Sequence, residues 1–161
     1  MRTMKPAYLF TAACALLLLV LAGCDSARLF EENREMENST WNMNQKLKFD
    51  FDIADTQTPY NLYFNLRHTD DYPFSNIYVF FHTTMPGGQI STDTVEFQLA
   101  NPQTGAWLGK GQGELHDCQM RFRSGMKFPK AGRYSLEIEQ AMRTENLDGI
   151  KDAGFRIERA E

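Results

Sequence analysis

From residue 46 onward, apolar and polar positions alternate along the chain. In "KLKFDFDI", Leu47, Phe49, Phe51 and Ile53 fall on one face and Lys46, Lys48, Asp50 and Asp52 on the other. That period of two is the pattern of a strand with one buried and one wet face. "YNLYFNLRH" repeats it with Leu62, Phe64 and Leu66, and "TVEFQLA" with Val95, Phe97 and Leu99. "NIYVFFHTT" is apolar at consecutive positions and reads as a more deeply buried strand. "AWLGKGQGEL", "CQMRFR", "RYSLEIEQAM" and "GFRIERA" continue the series. The breaks between them, "TQTP", "DDYPFS", "MPGG" and "NPQTG", are turn chemistry, and Pro73 has no N–H to give to a strand ladder.

About eight short strands at this spacing, with no amphipathic helix of three turns, predict an all-β fold: a single antiparallel β-sandwich over residues 46–161. A jelly roll is the preferred topology and an immunoglobulin-like Greek key the alternative. "EIEQAMR" and "FRIER" are expected in adjacent elements joined by the "TENLDGIKDAG" loop, with residues 146–152 exchanging rapidly.

Ahead of the sandwich the pattern is different. Residues 24–45 are polar and acid-rich, with Leu29, Phe30, Met36 and Trp41 scattered among them. They are expected to form a tether, and some twenty residues of flexible coil span about 25 Å. A short edge strand near Arg28–Glu32 is also consistent with the apolar pair.

Arg2 and Lys5 precede an almost wholly apolar run from Ala7 to Ala22, which ends in Leu21-Ala22-Gly23-Cys24. The run is short for a bilayer span, which needs about 20 apolar residues, but suits a secretory signal. Leu, two small residues and Cys form a bacterial lipobox, so residues 1–23 are expected to be cleaved and Cys24 to carry lipid. Two or more acyl chains anchor a protein stably where one does not. The alternative is a signal anchor with an incidental cysteine. On the lipobox reading Cys14 leaves with the signal and Cys24 is consumed, so Cys118 has no disulfide partner within the chain. The 138 residues from Cys24 carry 15 basic and 21 acidic side chains, a formal charge of −6. An acidic chain without a basic block argues against nucleic acid and against electrostatic docking on anionic lipid.

Catalytic signals are weak. "GKGQG", Gly109 to Gly113, lacks the following helix and the Lys-Ser/Thr pair of a phosphate loop, and reads as hairpin glycines. His68, His82 and His116 lie near strand ends beside Asp70, Asp71 and Asp117, yet no short spacing enforces a metal site. No acid/base couple, nucleophile elbow or His-Glu-x-x-His is present, so neither an enzyme nor a cofactor is expected. The turn-associated aromatics Tyr60, Tyr72, Phe74 and Trp107 are candidates for recognising a partner or a glycan.

In combination and order, "CDSARLFEEN", "KFDFDIADTQTPYNLYFNLRHTDDYPFSNIYVFF", "WLGKGQGELHDCQ" and "FPKAGRYSLEIEQAMRTENLDGIKDAGFRIE" resemble the gliding-motility lipoproteins called GldH of the Bacteroidetes. The resemblance covers nearly the whole chain after Cys24. It implies a cell-envelope lipoprotein of the gliding and type IX secretion machinery, with envelope proteins as partners and no enzyme activity or cofactor. Only Cys24 maps to a known role, lipid attachment, and the outer membrane is the expected location. The alternative function is a glycan- or peptidoglycan-binding module.

Overall fold

The computed structural model describes residues 27–160, and the expected cleavage ahead of Cys24 and its lipidation lie outside them. Among the described residues eleven strands form: β1 (Arg28–Glu35), β2 (Thr40–Asn42), β3 (Leu47–Ile53), β4 (Tyr60–Thr69), β5 (Asn76–Thr84), β6 (Ile90–Gln98), β7 (Lys110–Gln112), β8 (Leu115–Met126), β9 (Gly132–Gln140), β10 (Asn146–Asp148) and β11 (Ile150–Arg159). One 3-10 turn, Glu37–Ser39, is the sole helical element among the described residues. The alternating segments became strands with the expected faces. In β3, for example, Leu47, Phe49, Phe51 and Ile53 are buried, and Lys48, Asp50 and Asp52 are exposed.

A five-stranded sheet of order β1-β11-β4-β8-β7 faces a four-stranded sheet of order β3-β9-β5-β6, and β10 pairs with β2 in a third, two-stranded unit. The pairing is nested. β5 and β6 form a hairpin, enclosed in turn by the antiparallel pairs β4–β8, β3–β9 and β1–β11. One long hairpin rolled over itself is a jelly roll, which separates this chain from the immunoglobulin-like alternative. Aromatic rings bridge the sheets. Phe51 of β3 lies 5.6 Å from Phe155 of β11, and Phe81 of β5 stacks at 4.4 Å on Phe122 of β8.

Because β1, β4, β6 and β9 run one way and β3, β5, β8 and β11 the other, the connections collect at two rims. The N-terminal rim, where β1 begins, carries residues 54–59, 85–89 and 127–131. The opposite rim carries residues 36–46, 70–75, 99–109 and 141–149.

Three expectations need correction. The tether over 24–45 is too long, because β1 pairs with β11 along its whole length and Trp41 of β2 is fully buried, so the sandwich begins at residue 28 rather than 46. β9 and β11 lie in different sheets and are not adjacent. Residues 146–152 are not an open loop either: β10 pairs with β2, and Ile150 and Asp152 belong to β11. In each case a distant strand supplies the backbone partners that local patterning cannot show.

Candidate functional site

The aromatic candidates do not form a common platform. Tyr60 is at the N-terminal rim, 1% exposed, with its hydroxyl donating to the Asp55 carbonyl at 3.0 Å and its ring 5.5 Å from Phe128. Tyr72 is at the opposite rim, 2% exposed, with its hydroxyl donating to the Asn76 carbonyl at 2.8 Å. Burial pushes its phenol well above the usual range. Both tyrosines serve the core, with the ring in the apolar interior and the hydroxyl on a turn carbonyl, so neither is available to a partner. Phe74 is half-buried against Tyr72. Trp107 is half-buried with its ring 4.6 Å from that of His68.

Two of the three histidines meet at this opposite rim. His68 and His116 have ring centroids 5.2 Å apart. His68 is fully buried; its Nδ1 lies 3.1 Å from the Thr69 carbonyl, while its Nε2 has no hydrogen-bond partner. The Thr69 carbonyl can only accept, so Nδ1 carries a proton. Burial holds the His68 pKa below its ordinary value, with the charge on His116 adding to the effect and the Thr69 carbonyl and Asp70 opposing it. His116 Nε2 meets Asp70 Oδ1 at 2.7 Å. His82 is elsewhere, on β5, with Thr92 Oγ1 at 2.9 Å and Glu139 Oε1 at 3.1 Å. Among the described residues no three His, Cys, Asp or Glu side chains are grouped to hold a metal ion.

The glycines of "GKGQG" belong to a hairpin, as expected, with Gly113 at its turn in a left-handed backbone. A Cβ on Gly109 would sit 2.7 Å from Cys118 Sγ and 3.0 Å from the Asp117 carbonyl oxygen, and the segment continues as β7 in a hairpin with β8. Cys118 itself is buried, and its thiol is pushed up to about 11 by desolvation and then by Asp117. A thiol in that state is a poor nucleophile.

The most organised polar surface is the outer face of the five-stranded sheet, where register places side chains from four strands in rows. One row crosses Glu31, Arg156, Tyr63 and Arg121. The next crosses Asn33, Gly154, Asn65 and Gln119, and a third Glu35, Asp152, Arg67 and Asp117. Gln119 Nε2 donates to Asn65 Oδ1 at 3.2 Å, and Asn65 Nδ2 donates to Asn33 Oδ1 at 3.2 Å and to Glu31 Oε1 at 3.0 Å. Gly154 leaves room for this: a Cβ there would sit 2.7 Å from Asn33 Cγ. The result is a groove of about 220 Å³ bordered by Asn33, Asn65, Arg67, Asp117, Gln119 and Asp152.

Several charges of this face are committed to one another. Arg156 donates to Glu31 at 2.6 Å and to Glu158 at 2.6 Å, and Arg67 Nε to Asp152 Oδ2 at 2.6 Å. Burial alone would raise the Glu31 carboxyl, but hydrogen bonds from Arg28, Arg156 and Asn65 bring it below its ordinary value. For Asp152 burial prevails over Arg67, and its carboxyl is held above the usual range. Such a face offers amide donors and acceptors to a polar partner. None of these residues stood out as a site in the sequence, because their shared row depends on pairing between β1, β11, β4 and β8.

Comparison with known proteins agrees with this domain. The family model described as GldH lipoprotein matches residues 28–157, from the first residue of β1 almost to the end of β11. The "Gliding motility lipoprotein GldH" of Flavobacterium johnsoniae is 34% identical over 150 residues, covering 89% of this chain and 92% of that protein. The "Gliding motility lipoprotein GldH homolog" of Christiangramia forsetii is 30% identical over 151 residues, covering 89% and 91%. Among solved structures, that of infectious bursal disease virus Gx strain aligns over 81% of this chain and 29% of its own, at 11% identity and a TM-score of 0.32. With the matched region coinciding with the jelly roll and two relatives at these identities, the chain belongs to the GldH lipoprotein family.

Proposed function

We propose that this protein is a lipid-anchored, non-catalytic component of the cell envelope that acts in gliding motility and the associated type IX secretion apparatus. Its anchor is the lipid on Cys24 and its location the outer membrane. The observation that carries the reading is family membership across the entire sandwich, together with relatives named as gliding motility lipoproteins. The non-catalytic role is supported by the buried high-pKa thiol of Cys118, the buried neutral His68, and the ion pairs that occupy Glu31 and Asp152. The polar rows on the five-stranded sheet are the surface assigned to envelope partners. The test is a tagged full chain purified with its complexes from the native membrane, together with a deletion strain. Recovery of envelope proteins of the motility machinery and loss of gliding or secretion are expected. Complexes without such proteins, and a deletion strain that glides and secretes normally, would sink the reading.

A second reading, binding of a glycan or peptidoglycan strand, now rests on the Asn33–Asn65–Gln119 row, because Tyr60 and Tyr72 are buried. Amides at regular spacing suit sugar hydroxyls. A glycan array probed with the wild type and with Asn65→Ala decides it: binding lost in the variant supports the site, and no binding by either removes it.

A further inference from the structure

We propose that the N-terminal rim of the jelly roll is a membrane-contact surface that lies against anionic lipid headgroups, a proposal that rests on the Cys24 anchor described above. The geometry of the tether is the first argument. β1 begins at Arg28, four residues beyond Cys24. Four fully extended residues reach no more than about 14 Å. The first residue of the sandwich therefore stays within that distance of the lipid, and the same rim holds the end of β11, where the Arg159 N–H donates to the Ala27 carbonyl at 2.8 Å.

The chemistry of the rim is the second argument. Its turns over 85–89 and 127–131 meet, since the Pro86 side chain comes within 3.1 Å of the Cβ position of Gly132. Between them they present apolar and basic groups. Pro129, Lys127 and Lys130 are exposed, and neighbouring Ile90 is 65% exposed. Behind this lip a cavity of about 110 Å³ is lined by Met85, Met126, Phe128 and Pro129 and backed by the core rings of Phe81 and Phe122. Apolar groups flanked by lysines, with the tether alongside, fit the boundary between headgroups and acyl chains.

Charge segregation is the third argument, and it qualifies the expectation drawn from net charge. The opposite rim carries Glu37, Asp70, Asp71, Glu114, Glu145 and Asp148 against Lys46 and Arg143. The N-terminal rim carries Lys127 and Lys130 against Asp55, with Arg28 and Arg159 ending β1 and β11 there. Arg28 is bonded to Glu31 at 3.2 Å, so among the described residues the basic character of this rim rests on Lys127 and Lys130 against Asp55, while the opposite rim has four more acids than bases. An anionic surface attracts the first rim and repels the second.

The test uses the full lipidated chain in vesicles of phosphatidylcholine with phosphatidylglycerol, carrying nitroxide on the headgroups. A fluorophore is placed at Ala131→Cys on the N-terminal rim or at Gln103→Cys on the opposite one; both positions are exposed, and the buried Cys118 does not compete for label. Several-fold stronger quenching at position 131 than at 103 is expected. Lys127→Gln with Lys130→Gln should lower the ratio of docked to undocked protein by about 30-fold, with unchanged melting temperature. Equal quenching at the two positions in a chain whose Cys24 carries the acyl mass overturns the contact surface and leaves the anchor standing. Quenching at 131 that ignores both lysines and phosphatidylglycerol overturns the headgroup contact. A Cys24 without acyl mass overturns anchor and surface together.

Discussion

Gly149 and Gly87 form a matched pair that separates backbone strain from steric crowding. Both have left-handed backbones, with φ of +82° and +100°. A Cβ on Gly87 would meet nothing within 4 Å. A Cβ on Gly149 would lie 2.6 Å from the Tyr72 backbone nitrogen and 2.8 Å from its Cα. Bringing the shorter contact even to 3.0 Å requires a displacement of 0.4 Å. The turn that would have to move is fixed on several sides. Thr69 N donates to the Gly149 carbonyl at 2.8 Å, Tyr72 N to the Thr69 carbonyl at 3.2 Å, and the Tyr72 hydroxyl to the Asn76 carbonyl. Alanine at either site pays the left-handed penalty of about 1–2 kcal/mol. At Gly149 overpacking adds about 1–3 kcal/mol. Gly87→Ala is therefore expected to cost about 1 kcal/mol and Gly149→Ala about 3–4 kcal/mol. For a domain of this size the larger figure lowers the melting temperature by roughly 10 °C. Urea unfolding of the two variants, followed by tryptophan fluorescence, measures the difference directly. Equal destabilisation would refute the crowding argument, and a neutral Gly149→Ala would refute both parts.

His68 ties stability to pH. The unfolded chain takes up a proton near 6.5 while the buried ring does not, so stability falls as pH drops through that value, by up to about 1.4 kcal/mol per pH unit. Urea titrations from about pH 7.5 to about 5 should show this slope, flattened in His68→Phe; a slope unaltered by the substitution counts against the assignment. Cys118 should resist iodoacetamide at neutral pH in the folded protein and react on unfolding, since its thiol is pushed up to about 11 and buried. Rapid modification of the native protein would contradict that. Trp41 is fully buried and its indole N–H donates to the Gln45 carbonyl at 2.9 Å, so Trp41→Ala is expected to cost about 3–5 kcal/mol. A loss below about 1 kcal/mol would mean that residues 36–46 are not part of the cooperative unit.

The strands that were easiest to read have one apolar and one wet face. β3 shows this pattern most plainly, and β5 is bounded by the same residues in sequence and structure. β1 was harder. In "RLFEENRE" only Leu29 and Phe30 are apolar, because much of the strand supplies Glu31, Asn33 and Glu35 to the polar rows. It therefore looks like a linker until its partner β11, more than a hundred residues away, is known. β2 and β10 have three residues each and exist through their mutual pairing, for which no local period can form. Tyrosines beside turns were misleading for a related reason. Tyr60 and Tyr72 look like recognition residues by position, but their hydroxyls complete buried turns. The groove at Asn33, Asn65 and Gln119 is a product of register across β1, β11, β4 and β8, which one sequence does not contain.

The nesting of strand pairs also governs how the protein can mature. The outermost pair joins Arg28 to Glu158, nearly the two ends of the described residues, and β11 is also the strand that links β1 to β4. A chain exported N-terminus first presents β1 to the new compartment long before its partner arrives. Until the final strand emerges, β1 is an unsatisfied edge whose ladder is deferred by the largest loop closure in the fold, and with lipid on Cys24, as proposed, that edge would be held at the membrane. Completion of the domain is thus reported by its last ten residues. A protein truncated there would lose an interior strand of the sheet, rather than a dispensable tail, leaving β1 with no sheet partner and β4 open along the edge that β11 covers.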